Sequence, residues 1–285
     1  MPQFFRLLIF AFSLFTVTNA FTQSDSIVLK DIKWDKSYPA GSTELFIPSA
    51  SSLLAGIMYR PNGSEKHPTL LLLHGFPGNE RNLDIAQVVR AHGWNVLYFN
   101  YRGSWGSQGK FSLKNCVEDV SNVVAFCNKY KDSLKIDTSN IVLFGHSLGG
   151  WVCLKSLEQL PQIKKGFALS TGNFYGLLKQ VPSEKQLIEA LPLVFPNYFV
   201  LNSTNLEIFL PAFKEISYLK LATDVTTLRE KQIMMLDEHV GNKEIADSIK
   251  EMHLSFFDYQ VWETDHGFTN KRVSLMNKLI SFLDK

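Results

Sequence analysis

Cysteine is scarce, with three in 285 residues. No Cys-x-x-Cys pair or His/Cys cluster occurs, so neither a metal framework nor a dithiol redox pair is indicated. Cys116 and Cys127 fall within one predicted helix, about 16 Å apart along its axis at 1.5 Å rise per residue. That is too far for a disulfide. With Cys153 they read as buried small hydrophobes. Charge of one sign is also lacking: 29 basic residues face 27 acidic ones, for a net charge of +2. No run of five like charges is present, which argues against a nucleic-acid partner or an acidic membrane surface. Repeats and low-complexity segments are absent. The one strongly apolar terminal stretch, Leu7 to Val17, is far short of the roughly 20 residues that span a bilayer.

That stretch has its own reading. Arg6 precedes it, and Thr18-Asn19-Ala20 supplies small residues suited to a signal peptidase. Residues 1–20 are expected to be a secretory signal peptide cleaved after Ala20, leaving a secreted or periplasmic protein with no stable membrane span. The whole chain is 45% hydrophobic, enough for one sizeable core, and a single domain is expected over residues 21–285.

Short apolar runs alternate with amphipathic stretches. Leu53–Arg60, Thr69–Leu73, Trp94–Asn100, Asn140–Phe144, Lys165–Ser170, Gln232–Leu236 and Ser255–Trp262 read as strands. Glu80–His92, Lys114–Tyr130, Ser147–Leu160, Lys243–His253 and residues 270–284 read as helices. Thr69–Leu73 (TLLLL) has the fully apolar character of a strand covered on both faces. Such alternation builds an α/β fold, a mostly parallel sheet with helices on both sides. It stops over residues 173–230, too long for a structureless loop. This segment is expected to be a largely helical cap insertion.

Gly145-His146-Ser147-Leu148-Gly149 is a G-x-S-x-G motif between a predicted strand and a predicted helix, the context the motif requires. A sharp strand-to-helix turn exposes the Ser147 hydroxyl at the positive end of the helix. Small flanking residues let the chain turn there. Ser147 is therefore the expected nucleophile. His74-Gly75-Phe76-Pro77-Gly78 follows the strand TLLLL. A turn here can aim the Phe76 N–H at the point reached by the Leu148 N–H, and two such donors form an oxyanion hole. His74 is expected to support this loop by hydrogen bonds, and His146 to line the site.

In this order, H-G-x-P-G, G-H-S-L-G-G, an acid after a strand and D-H-G near the C-terminus, the chain resembles the α/β-hydrolase superfamily over essentially the whole mature length. The stretch Tyr101-Arg102-Gly103-Ser104-Trp105-Gly106-Ser107 is similar to that of its esterase and dipeptidyl-peptidase-like members. The resemblance implies an eight-stranded sheet with the site on its carboxyl edge and a triad in the order serine, acid, histidine. It places the general base at His266, in Thr264-Asp265-His266-Gly267-Phe268. Asp265 is expected to shape that loop. For the acid, Asp237 matches the pattern best, and its neighbour Glu238 competes because glutamate serves equally. The chain departs from the family here, having no longer Gly-x-x-Asp loop.

The expected activity is hydrolysis of a carboxylic ester through an acyl-enzyme, without cofactor or metal. A small-molecule ester is the first substrate class. The alternative is a serine peptidase or amidase acting on small peptides. A non-catalytic binding member of the fold is a third reading. Aromatic residues of the insertion, among them Phe174, Phe195, Tyr198 and Phe209, would favour an apolar or aromatic acyl or alcohol group.

Overall fold

Sheet and helices alternate along the chain in the computed structural model, which describes residues 31–285. The expected signal peptide, residues 1–20, lies outside the described residues. The strands are β1 (Gly41–Ser49), β2 (Ser52–Arg60), β3 (His67–Leu73), β4 (Asn95–Phe99), β5 (Ile136–His146), β6 (Lys165–Leu169), β7 (Gln232–Asp237) and β8 (Phe256–Val261). Their order across one sheet is β1-β2-β4-β3-β5-β6-β7-β8. β1 pairs antiparallel with β2, and β2 antiparallel with β4; every later pairing is parallel.

The central strands are apolar on both sides because both sides are covered. All five residues of β4 are buried. Successive side chains go to opposite faces, so Leu71, Leu97 and Leu143 enter one core while Leu70, Val96 and Val142 enter the other. Helices α1 (Leu83–Ala91) and α9 (Arg272–Leu283) close the second core through Ile85, Val89, Leu275 and Leu279. Helices α2 (Leu113–Lys129) and α3 (Leu148–Gln159) close the first through Val120, Val124, Trp151 and Leu157. Each such fully buried aliphatic side chain contributes roughly 1.5–3 kcal/mol of transfer free energy. Ser112 caps α2 by accepting from the Asn115 N–H at 3.1 Å, a bond worth about 1 kcal/mol. The three cysteines are buried and unpaired.

Residues 173–230 hold α4 (Phe174–Leu178), α5 (Glu184–Val194), α6 (Asn205–Lys214), a 3-10 turn (Ile216–Leu219) and α7 (Val225–Leu228). Thr204 and Glu207 form a reciprocal capping box at the start of α6. The far end of this insertion is fastened to α3. Trp151 Nε1 donates to the Leu219 carbonyl at 2.9 Å, and Lys155 Nζ donates to the Lys220 carbonyl at 3.0 Å. The buried Glu158 accepts from Lys155 and from Thr223. Helix α8 (Lys243–Glu251) precedes β8. Strand β1 is not anticipated by the sequence reading, and β5 starts four residues earlier than expected.

The parallel strands all deliver their carboxyl ends to one edge. The loop His74–Gly78 follows β3, Ser147 follows β5, Ser170 follows β6, Glu238 follows β7 and His266 lies beyond β8. Ligands of open α/β sheets bind at this edge.

Candidate active site

Ser147 stands between β5 and α3 with φ 59° and ψ −117°. A non-glycine residue held there costs about 1–3 kcal/mol of backbone strain. Its surroundings hold it in place. The Ser147 N–H donates to the Leu169 carbonyl at 2.8 Å, and its own carbonyl accepts from Gly150 and Gly172, each at 2.9 Å. The flanking glycines are required by contact. A Cβ on Gly145 would overlap the Gly149 carbonyl, and one on Gly149 would overlap the Leu73 carbonyl. The turn thus presents the hydroxyl outward, at the N-terminus of α3.

His266 is largely exposed, and its Nδ1–H donates to Glu238 Oε1 at 2.7 Å. The other oxygen of Glu238 accepts from Ser170 Oγ at 2.5 Å. Burial raises the Glu238 carboxyl, but the bonds from Ser170 and His266 outweigh it and bring it below the usual glutamate range. The ring of His266 is thereby fixed by its Nδ1, leaving Nε2 to exchange protons. His146 steadies the same loop from beneath. It is buried, donates through Nε2 to the His266 carbonyl at 2.8 Å, and its ring lies 4.9 Å from that of His266. Burial, with His266 beside it, lowers His146 to about 4, so it stays neutral. Asp265 accepts from both the N–H and the hydroxyl of Thr269, at 2.7 and 2.6 Å, and so shapes the loop.

The expectation that Asp237 holds the imidazole is corrected by this arrangement. Asp237 points to the other side of the chain, fully buried, where it accepts from the Thr171 N–H at 3.0 Å and from Asn242 Nδ2 at 3.2 Å. Burial pushes its carboxyl up to about 6. The reason is strand geometry: successive side chains leave β7 in opposite directions. Ser170, which orients Glu238, and Asn242, which holds Asp237, belong to no motif in the sequence. Ser170 has φ 46°, a turn that no residue type announces.

Phe76 and Leu148, whose N–H groups the sequence offers as an oxyanion hole, both lie beside Ser147. Leu148 is the first residue of α3, where N–H groups lack helical acceptors. The Phe76 N–H belongs to the planar peptide unit that includes the Gly75 carbonyl. His74 Nδ1–H donates to that carbonyl at 2.8 Å. Because N–H and C=O of a trans unit point in opposite directions, the bond from His74 also sets the direction of the Phe76 N–H. Burial lowers His74 to about 4, so the ring is neutral. A Cβ on Gly75 would come within 3.1 Å of Ser147 Cβ, so the loop and the serine lie in close approach.

Ser147 and His266 open into one cavity of about 480 Å³. Phe76, Phe174, Leu177, Phe195 and Phe209 give it an apolar wall; Thr171, Asn173, Gln180, His239 and Asn242 give it a polar one. Among the described residues that line it, none is Asp or Glu. The Phe195 and Phe209 rings stack at 5.1 Å, and both meet Phe76 edge-on at 6.0 and 5.8 Å.

Residues 64–231 match the family model described as serine aminopeptidase, S33. An uncharacterized protein of Rickettsia prowazekii is 32% identical over 118 residues, covering 39% of this chain and 48% of the relative. Lysophosphatidylserine lipase ABHD12 of Danio rerio is 26% identical over 105 residues, covering 36% of this chain and 26% of the relative. The chain thus spans about half or less of these relatives' length. A hyperthermophilic esterase from Pyrobaculum calidifontis shares the fold with a TM-score of 0.66 at 16% identity, over 90% of this chain and 87% of that one. Brefeldin A esterase shares it with a TM-score of 0.61 at 16% identity, over 90% and 80%. The sheet order, the strained Ser147 turn and the match over residues 64–231 agree, and the chain belongs to the serine aminopeptidase, S33, family of the α/β-hydrolase superfamily.

Proposed function

We propose that this chain is an exported serine hydrolase that cleaves a carboxylic ester through an acyl-enzyme. One observation carries the reading: a strained Ser147 shares a cavity with His266, whose Nδ1–H is held by an ionised Glu238. In the first step Ser147 Oγ bonds to the ester carbonyl carbon while its proton passes to His266 Nε2. The carbonyl oxygen becomes an oxyanion and receives the N–H groups of Phe76 and Leu148. Glu238 stabilises the imidazolium. The Nε2 proton then passes to the alcohol oxygen as its bond to the acyl carbon breaks. Water attacks the acyl-enzyme, giving its proton to His266, and the acid leaves as Ser147 regains its proton.

The cavity favours an ester over a peptide with a free amino terminus. A substrate ammonium brought into a space of this size needs a carboxylate partner, and among the described residues none lines it. Its aromatic wall suits an apolar or aromatic group instead. The names of similar proteins divide: esterases are among those of like fold and a lysophosphatidylserine lipase is among the sequence relatives, while the matching family model is described as a serine aminopeptidase and an acylaminoacyl peptidase shares the fold; the lining of the cavity decides for the ester.

The test is labelling with a fluorophosphonate, followed by rates on p-nitrophenyl esters of graded chain length and on aminoacyl nitroanilides. Wild type is expected to label and to prefer the esters. Ser147→Ala is expected to lose both labelling and turnover. An unlabelled wild type, or a Ser147→Ala variant with full esterase activity, refutes the mechanism. Faster turnover of the nitroanilides refutes the substrate class.

A further inference from the structure

Trp105 sits at a junction that the catalytic steps above do not use. Its backbone has φ 47°, an outlier for a bulky side chain. Glycine would hold that φ without strain, so the backbone alone does not account for an indole here. Its contacts run in three directions. The indole Nε1–H donates to the Pro77 carbonyl at 2.7 Å. The Trp105 N–H donates to the Val200 carbonyl of the insertion at 2.9 Å. The Arg81 guanidinium lies 4.5 Å over the ring centroid.

Pro77 immediately follows Phe76, the residue assigned an oxyanion N–H. His74 holds that segment on its N-terminal side through the Gly75 carbonyl at 2.8 Å. The indole holds it on the C-terminal side. The loop carrying Trp105 is in turn tied to the insertion, since Asn202 N–H donates to the Gly103 carbonyl at 2.7 Å and Ser104 bridges to Leu201. Backbone strain persists where surrounding structure over-determines it, and it gathers at working sites.

We propose that Trp105 is a positioning residue that holds the Phe76 N–H in its oxyanion-binding direction and links that direction to the seating of the insertion. This rests on the serine-hydrolase reading above. Its signature differs from that of a merely structural tryptophan. Loosening an oxyanion donor weakens an interaction made in the transition state, so kcat and kcat/KM fall together while KM stays. Removing such a donor outright costs about 10²–10³ in kcat. Loosening it through one lost neutral hydrogen bond is expected to cost roughly tenfold.

The experiment uses the full-length protein in three forms: wild type, Trp105→Phe, and Trp105→3-benzothienylalanine. The last keeps the bicyclic ring over Arg81 and removes only the N–H donor. Each is assayed on a p-nitrophenyl ester, and inhibition by phenylboronic acid is measured alongside. The boronate forms a tetrahedral adduct on the serine and so reports on the oxyanion hole. Both variants are expected to lose about tenfold in kcat with KM within twofold, and the boronate Ki is expected to rise about tenfold. If Trp105→Phe unfolds, the benzothienyl form decides alone. Unchanged kcat and Ki in that form overturn the assignment, as does a loss confined to KM. Wild-type labelling by a fluorophosphonate separates the two levels: its failure refutes the hydrolase reading, whereas a labelled wild type with indifferent variants refutes only the role of Trp105.

Discussion

Exchanging the two adjacent carboxylates at the end of β7 for their amides separates their roles. Glu238→Gln keeps the shape of the side chain but removes the charge facing His266 Nδ1, 2.7 Å away. The amide can also turn its NH2 toward the ring and favour the wrong tautomer. Loss of the orienting acid in such triads costs about 10⁴ in kcat, or roughly 5.5 kcal/mol of barrier at 1.36 kcal/mol per decade. Glu238→Asp shortens the side chain by one C–C bond, about 1.5 Å. It cannot keep both the 2.7 Å bond to His266 and the 2.5 Å bond from Ser170, so a loss of about 10²-fold is expected. Asp237→Asn leaves the imidazole's partner in place and is expected to stay within about threefold of wild type, since no catalytic contact is removed. The assay is kcat on a p-nitrophenyl ester at a fixed pH of 8, with melting temperatures measured in parallel. A thousandfold loss in folded Asp237→Asn, with Glu238→Gln near wild type, would refute the geometry.

Asp237 also carries a pH signature. Its carboxyl is raised from 3.8 to about 6 in the fold, so between these values the native state holds the extra proton and stability falls as pH rises. A shift of about two units corresponds to about 3 kcal/mol. Urea unfolding should therefore show the Asp237→Asn variant gaining about 3 kcal/mol relative to wild type between pH 4 and pH 7; a constant difference contradicts this. Gly149→Ala places a methyl against the Leu73 carbonyl, and its overpacking is expected to cost about 3 kcal/mol. That corresponds to a fall in Tm of roughly 6–12 °C for a chain of this size, and an unchanged Tm would show that the turn has more room. Phe195→Ala removes a ring from the apolar wall. It is expected to raise KM for aryl or long-chain esters about ten- to hundredfold, with acetate esters little affected, as loss of roughly 1.5–3 kcal/mol of apolar contact requires; equal effects on both would count against that wall as the substrate's seat.

Much of the fold is legible because its central strands announce themselves. Parallel strands covered on both faces must be apolar at consecutive positions, and runs such as TLLLL in β3 and the NVLYF of β4 have few other uses. β1 fails this test. It is an edge strand whose burial alternates, with Pro48 in it and Phe46 on its solvent face at 69% exposure. Its pairing with β2 is written in backbone hydrogen bonds, which side-chain pattern does not report. The insertion is legible as helical but not in its divisions. Pro192 lies inside α5 and Pro211 inside α6, so proline, usually a helix breaker, marks no boundary there.

The site divides along a similar line. Ser147 and His266 are readable because each is fixed by its immediate neighbours, the glycines around the serine and the turn around the histidine. The acid depends on which side of a pleat faces another loop. Asp237 pairs with Val261 in the β7–β8 register, and from there its side chain goes inward to Thr171 and Asn242. The next residue then faces the imidazole, and it is one methylene longer than aspartate. This chain has no extended Gly-x-x-Asp loop after the strand, and the longer side chain supplies reach that such a loop would otherwise provide. Ser170, turned by its own positive φ, completes the pair by holding the second oxygen of Glu238. Loop length, side-chain length and a neighbouring hydroxyl thus act as one adjustment. None of the three is meaningful alone, which is why a motif centred on aspartate selects the wrong member of the pair.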